Sequence, residues 1–170
     1  MQINVAGLMQ EPIGTARTYE IDDEVDFGEG NVRRAKGQVR LMRTQRGILV
    51  QAEIETETDL DCSRCLEPFQ FPVTLKIDEE YLPTIDILSG ERMPLPDEPG
   101  AFRIDERHII DLSEAVRQYT LMAVPMKPLC EAACAGLCPT CGKNLNHGAC
   151  RCPPPEGDPR WAKLQKLLQK

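Results

Sequence analysis

Lys36-Gly37-Gln38-Val39-Arg40-Leu41 and, after a short break, Val50-Gln51-Ala52-Glu53-Ile54-Glu55 decide how this chain folds. A turn at Gln45-Arg46, with Gly47 following, sets Leu41 opposite Val50, Val39 opposite Ala52 and Gly37 opposite Ile54. The same register sets Arg40 opposite Gln51, Gln38 opposite Glu53, Lys36 opposite Glu55 and Arg34 opposite Glu57. Successive side chains of a strand point to opposite faces. One face of this hairpin is therefore apolar and the other charged, as an antiparallel pair resting on a core requires. Lys36–Glu55 and Arg34–Glu57 are expected to be cross-strand ion pairs.

The alternation continues downstream. Phe69, Phe71, Val73, Leu75 and Ile77 share one face, and Gln70, Thr74, Lys76 and Asp78 share the other. Pro72 cannot donate to a ladder, so it implies an edge or a bulge. Cys62-Ser63-Arg64-Cys65 falls between the two strands, at the hairpin tip. Upstream, Ile3–Met9 and Thr18–Ile21 read as short strands or a strand and a turn. Residues 83–100 hold Pro83, Pro94, Pro96, Pro99, Gly90 and Gly100, and read as a long irregular loop. Asp111 followed by Glu114 resembles a capping box and opens a helix over 111–123. Its expected apolar stripe is Leu112, Ala115, Val116, Tyr119 and Met122/Ala123. Asp158-Pro159 opens a terminal helix, apolar along Trp161, Leu164 and Leu167/Leu168. The fold expected is α+β: an antiparallel sheet able to curl into a barrel, an internal helix, a cysteine-rich zinc module and a C-terminal helix. The division expected is a β-rich domain over 1–126, with an acidic loop at 83–107, and a cysteine-rich module with a terminal helix over 127–170.

Composition narrows the function. The 170 residues carry a formal net charge of −7. Residues 1–126 hold 13 basic and 24 acidic side chains, a net of −11, whereas residues 127–170 hold 7 and 3, a net of +4. The chain as a whole is no polyanion binder, so any contact with RNA is local. No basic segment followed by an apolar run stands near Met1, and no stretch approaches the ~18 apolar residues of a membrane span. The expected location is the cytoplasm, where stable disulfides are disfavoured.

The eight cysteines follow the pattern Cys62-x2-Cys65, then Cys130-x3-Cys134-x3-Cys138-x2-Cys141-x8-Cys150-x-Cys152. In Cys138-Pro139-Thr140-Cys141-Gly142 two thiols wrap a tight turn, and the glycine lets backbone N–H groups approach the sulfurs. Asn144, Asn146 and Gly148 keep the next loop turn-rich, so it can return Cys150 and Cys152 to the same ion. We expect one zinc site from Cys138, Cys141, Cys150 and Cys152. The remaining four, Cys62, Cys65, Cys130 and Cys134, can form a second, which leaves one or two structural Zn²⁺ ions per chain. Spacing alone does not separate zinc from an iron–sulfur cluster. His147 could replace a cysteine, although a loop histidine without a metal role is the plainer reading. A redox pair at Cys62–Cys65 would need a helix N-terminus, and here the pair lies between strands.

No catalytic set emerges. His108 and His147 are far apart, and neither a phosphate-binding glycine loop nor a Gly-x-Ser-x-Gly elbow is present. All-cysteine quartets close a zinc site instead of leaving a position open for substrate.

The order of motifs points to a family. Cys62-Ser63-Arg64-Cys65-Leu66-Glu67-Pro68-Phe69 is followed by Ile110-Asp111-Leu112-Ser113-Glu114-Ala115-Val116 and Val124-Pro125-Met126-Lys127-Pro128-Leu129-Cys130. Then come Gly136-Leu137-Cys138-Pro139-Thr140-Cys141-Gly142-Lys143-Asn144-Leu145-Asn146 and Asp158-Pro159-Arg160-Trp161-Ala162-Lys163-Leu164. This series resembles the YceD family, the large ribosomal RNA subunit accumulation proteins. The resemblance implies a cytoplasmic, non-enzymatic factor that supports synthesis, processing or stability of 23S-type ribosomal RNA. It brings no catalytic residues. Expected partners are ribosomal RNA or a large-subunit ribosomal protein, with no membrane and no small-molecule substrate.

Arg40, Arg43 and Arg46 lack acidic partners in the hairpin register, and with Arg160, Lys163 and Lys166 they are the candidate RNA contacts. The plainer reading of each patch is a solvated face. An adaptor that docks a basic ribosomal protein through the acidic loop at 83–107 and the overall negative charge is the main alternative, and a thiol redox protein a minor one.

Overall fold

The computed structural model describes residues 1–28, 31–94 and 100–153. They form two compact units: Met1–Leu60 with Gln70–Met126, and Asp61–Phe69 with the segment from Lys127 onward. The Cys62–Cys65 tip therefore groups with the later cysteines, not with the strands that carry it.

The first unit is mostly β. Its strands are β1 (Gln2–Asn4), β2 (Ala16–Asp26), β3 (Val32–Arg43), β4 (Ile48–Asp61), β5 (Pro68–Pro83), β6 (Arg103–Ile104) and β7 (Ile109–Asp111). β4 and β5 run on into the tip that belongs to the second unit. The seven strands form one sheet in the order β1-β7-β6-β5-β4-β3-β2. The sheet is mixed and not purely antiparallel as expected, because Leu82 and Pro83 of β5 pair in parallel with Arg103 and Ile104 of β6. The chain crosses over between β5 and β6 to arrive in the same direction. The sheet curls into an incomplete barrel, and the Met1 ammonium lies 3.3 Å from the Asp23 carboxylate of β2, at the far end of the strand order.

The β3–β4 register follows the sequence pattern. Leu41 pairs with Val50, Val39 with Ala52, Gly37 with Ile54, Arg40 with Gln51, Gln38 with Glu53 and Lys36 with Glu55. The turn is closed by Thr44, whose Oγ1 accepts from the N–H groups of Arg46 (3.2 Å) and Gly47 (2.9 Å). The salt partners differ from the expected Glu55 and Glu57. Arg34 donates to both oxygens of Asp22 on β2, at 2.5 and 2.6 Å, and Lys36 reaches the same carboxylate at 3.8 Å. β2 lies on the other side of β3, which the hairpin alone could not reveal.

Val39, Leu41, Val50, Ile54, Leu75 and Ile77 are buried on the inner face. They pack with Leu8 and Met9 of the short helix α1 (Ala6–Met9) and with Ala115 and Val116 of α2 (Ser113–Ala123). Ile3–Met9, which reads as short strands or a strand and a turn, holds the end of the three-residue strand β1 followed by one helical turn. At α2, Asp111 Oδ1 accepts from the N–H of Ser113 at 2.9 Å, a cap set two residues before the helix. The expected stripe stops early: Thr120 is buried, whereas Met122 is 70% exposed. The 83–107 segment is not wholly irregular. Asp86 Oδ1 accepts from the N–H groups of Leu88 and Ser89, and Ile85 bridges Arg92. Pro72 sits away from the β5–β6 pairing, which involves Leu82 and Pro83 at the other end of β5. The predicted terminal helix, with Arg160, Lys163 and Lys166, lies outside the described residues.

Candidate metal centres

The second unit contains two turns built to one plan. In the first, Cys62 N–H donates to Glu67 O (3.0 Å) and Leu66 N–H to Cys62 O (2.9 Å), while Arg64 N–H points at Cys62 Sγ (3.5 Å). In the second, Cys138 N–H donates to Lys143 O (2.8 Å), Gly142 N–H to Cys138 O (2.9 Å) and Thr140 N–H to Cys138 Sγ (3.4 Å). The plan needs a left-handed residue after the second cysteine. Gly142 supplies it at φ 70° without strain, and Leu66 supplies it at φ 60° despite its side chain.

Each turn collects two further thiols. Cys62, Cys65, Cys130 and Cys134 form one quartet, and Cys138, Cys141, Cys150 and Cys152 the other, with all four ligand atoms of each set within 4.8 Å of one another. All eight cysteines are free thiols. Four sulfurs at ~2.3 Å from one tetrahedral ion are separated from each other by about 3.8 Å. Cys62 and Cys134 Sγ are 3.8 Å apart, Cys65 and Cys130 Sγ 3.7 Å, and Cys138 and Cys150 Sγ 3.4 Å. The donor set and its spacing fit a single ion per quartet.

Electrostatics agree with that fit. Backbone N–H groups of Cys130, Cys65 and Arg64 hold the Cys62 thiol down at about 6, and those of Cys141 and Thr140 do the same for Cys138, also about 6. Later thiols then meet sulfur neighbours that already carry charge. Cys152 is pushed up to about 12 by Cys141 and by burial, and Cys130 to about 12 by burial and by Cys134, Cys62 and Cys65. Four thiolates in one site would repel one another, and a cation among them would relieve that repulsion. Two cationic side chains stand beside the quartets. Arg64 Nη1 donates to Cys134 O at 2.9 Å, and Lys143 Nζ donates to Ala149 O at 3.1 Å.

His147 is not drawn into either quartet: its Nε2 lies 2.7 Å from Glu67 Oε1. Sequence reasoning missed Arg64, Glu67 and Asn146 as supports of the sites. Asn146 donates from Nδ2 to Cys134 Sγ at 3.2 Å. No spacing rule predicts such contacts, because they join segments distant along the chain.

Of the candidate RNA contacts, Arg40, Arg43 and Arg46 lie in the first unit. Arg43 is half-buried and donates to Gly47 O at 3.0 Å, inside its own hairpin. Arg46 stands 3.9 Å from Glu80. Arg40 is exposed on the outer face of the sheet and donates to Gln51 Oε1 at 3.3 Å.

These features define a class: a curled β-sheet protein with paired four-cysteine centres that could hold metal ions and close around them. The chain belongs to the family of the large ribosomal RNA subunit accumulation protein YceD, whose model matches residues 50–168. It is 32% identical over 136 residues to an uncharacterized protein of Mycobacterium tuberculosis, covering 76% of this chain and 60% of that protein. It is 24% identical over 168 residues to the chloroplastic large ribosomal RNA subunit accumulation protein YCED homolog 1 of Arabidopsis thaliana, covering 86% and 52%. It is 28% identical over 85 residues to the large ribosomal RNA subunit accumulation protein YceD of Haemophilus influenzae, covering 50% and 47%. The chain thus spans about half to three fifths of the length of these relatives. No solved structure matches it. The family name describes accumulation of an RNA and not a reaction. Among the described residues, no helix is long and apolar enough to cross a membrane.

Proposed function

We propose that this protein is a non-enzymatic cytoplasmic factor that supports synthesis, processing or stability of the 23S-type ribosomal RNA, and that two structural Zn²⁺ ions hold its second unit together. Family membership carries the RNA reading, and the paired four-cysteine quartets, with sulfurs spaced as around one ion, carry the zinc reading. Zinc is favoured over a multi-iron cluster because a cluster spreads its four thiolates further apart than one ion does. The bound ions fix the backbone and leave no open position for a substrate. The protein residues do the rest: N–H groups and Asn146 stabilise the sulfurs, and Arg64 and Lys143 offset the negative charge of a tetrathiolate site.

Arg40 is the leading RNA contact in the first unit, since it is exposed and its partner Gln51 is neutral, whereas Arg43 is half-buried and Arg46 faces the Glu80 carboxylate. The test is binding of large-subunit ribosomal RNA as a function of salt. A protein that neutralises several phosphates loses orders of magnitude in affinity between about 50 and 200 mM salt, and Arg40→Glu should weaken binding further. Insensitivity to both would overturn direct RNA contact.

A second reading has its own observation. β2 is an edge strand carrying Glu20, Glu24 and Asp26 beside Asp22 and Asp23, which pair with Arg34, Lys36 and the Met1 ammonium. Such a surface favours docking of a basic ribosomal protein. Mass spectrometry of copurified proteins, with and without nuclease, separates the two readings. The carboxylates Asp86 and Asp105 support this adaptor role less, because they hold local turns by accepting backbone N–H bonds.

A further inference from the structure

We propose that the two cysteine quartets are coupled, with Asn146 as the positioning residue that transmits the state of one ion to the affinity of the other. The inference rests on the metal reading above and goes beyond it. Asn146 belongs to the loop between Cys141 and Cys150, whose two ends are ligands of the second quartet. Its side chain serves the first quartet. Oδ1 accepts from the N–H of Ala135 at 2.7 Å, and Nδ2 donates to Cys134 Sγ at 3.2 Å. The Ala135 donor fixes which end of the amide faces the sulfur, since an N–H requires the oxygen.

The same loop is tied to the segment joining the quartets. Leu145 N–H donates to Gly136 O at 2.8 Å, Leu137 bridges Asn144, and Asn144 Oδ1 accepts from Asn146 N–H at 2.9 Å. Cys134 is 3% exposed, so water is a poor substitute for the amide donor. An ion in the second quartet anchors Cys141 and Cys150, holds the loop, and presents Nδ2 to Cys134. The donor lowers the cost of a buried thiolate and tightens the first ion. By linkage the first ion tightens the second to the same degree.

The test uses the full-length chain loaded with zinc and titrated against a competing chelator. Loss of an outer hydrogen bond to a ligand costs about 10–100-fold in metal affinity. Asn146→Ala should therefore loosen the ion of the first quartet by that factor. Asn146→Asp keeps the oxygen for Ala135 N–H but removes the donor to sulfur. It should be at least as damaging, whereas a role confined to clamping Ala135 would leave it near wild type. Cys138→Ser/Cys141→Ser, which empties the second quartet, should loosen the first ion to a similar extent. Adding Asn146→Ala to that variant should then change little. In cadmium-113 spectra of the loaded protein, Asn146→Asp should move the resonance of the first-quartet ion. Two ions bound with unchanged affinity in both Asn146 variants would overturn the coupling alone, as would effects that multiply in the combined variant. A wild-type chain that takes up no ion would overturn the metal reading and this inference with it.

Discussion

Replacing Cys138 by serine removes one thiolate from the second quartet and leaves the four ligands of the first in place. Cys138 is the most enclosed sulfur of its set, 5% exposed, with Cys150 Sγ 3.4 Å away. A structural zinc in a small cysteine site contributes about 10–16 kcal/mol of apparent binding free energy at neutral pH. Shared over four ligands, one thiolate accounts for about 3 kcal/mol, on the order of a hundredfold in affinity. A serine hydroxyl recovers little of that. Zinc counted by elemental analysis against rising chelator should start at two ions for the wild-type chain, one per quartet. The variant should lose its second-quartet ion at a chelator strength roughly a hundredfold lower, by the same estimate, and the first-quartet ion should loosen in turn through the coupling. Hydrogen exchange gives a second readout: amides across 136–152 should lose protection while those of β3 and β4 keep it. Two ions retained to the same chelator strength would refute the second quartet as a metal site. Loss of protection in β3 and β4 would refute the independence of the two units.

Three further outcomes are expected. Leu66→Gly relieves a left-handed backbone that costs an L-residue about 1–2 kcal/mol, offset by about 0.5–1 kcal/mol of added chain entropy. The loaded protein should melt slightly higher, and a clear fall in melting temperature would refute the strain. Gly37→Ala would set a Cβ 2.0 Å from Glu53 O and 2.8 Å from Ile54 Cα, both backbone atoms of the paired strand. Parting β3 from β4 should cost about 3 kcal/mol, or about 6–12 °C in Tm for a chain of this length, read by circular dichroism. Hydrogen bonding from His147 holds the Glu67 carboxyl below its ordinary 4.5. The stability from this pair is present above that value and lost as pH falls through the lower folded one. NMR titration of Glu67 should show the depression, and His147→Ala should relieve it.

The parts of the structure legible in the sequence are those with a short repeat. The β3–β4 register follows from alternation over a dozen residues, and a slip by one would bury Arg40 and expose Leu41. The buried set Val73, Leu75 and Ile77 follows in the same way. β1 is three residues long and shows no period at all, and β6 is shorter still. The partner of Arg34 is not legible because Asp22 lies just past the stretch Thr18–Ile21 that reads as strand, and nothing in the sequence pairs that stretch with β3. Met122 fits the helical stripe by spacing, yet it lies near the end of α2, where it is exposed. In the quartets, Cys138-x2-Cys141 announces its own turn. The company of Cys62 and Cys65 with Cys130 and Cys134 was suggested only by counting leftover thiols. Nothing local to Asn146 marks it as a hydrogen-bond donor to a sulfur.

Cys65 and Cys130 lie 65 positions apart in the chain. Between them, Gln70–Met126 belongs to the other unit, so the second unit is discontinuous. Closing a loop of that length costs about 3–4 kcal/mol in chain entropy, unless the intervening strands have already drawn its ends together. The β3–β4 hairpin is a local pairing, whereas the first quartet can be completed only after Cys130 and Cys134 have been synthesised. An ion bound there would act as a latch, joining a hairpin tip to a segment made much later.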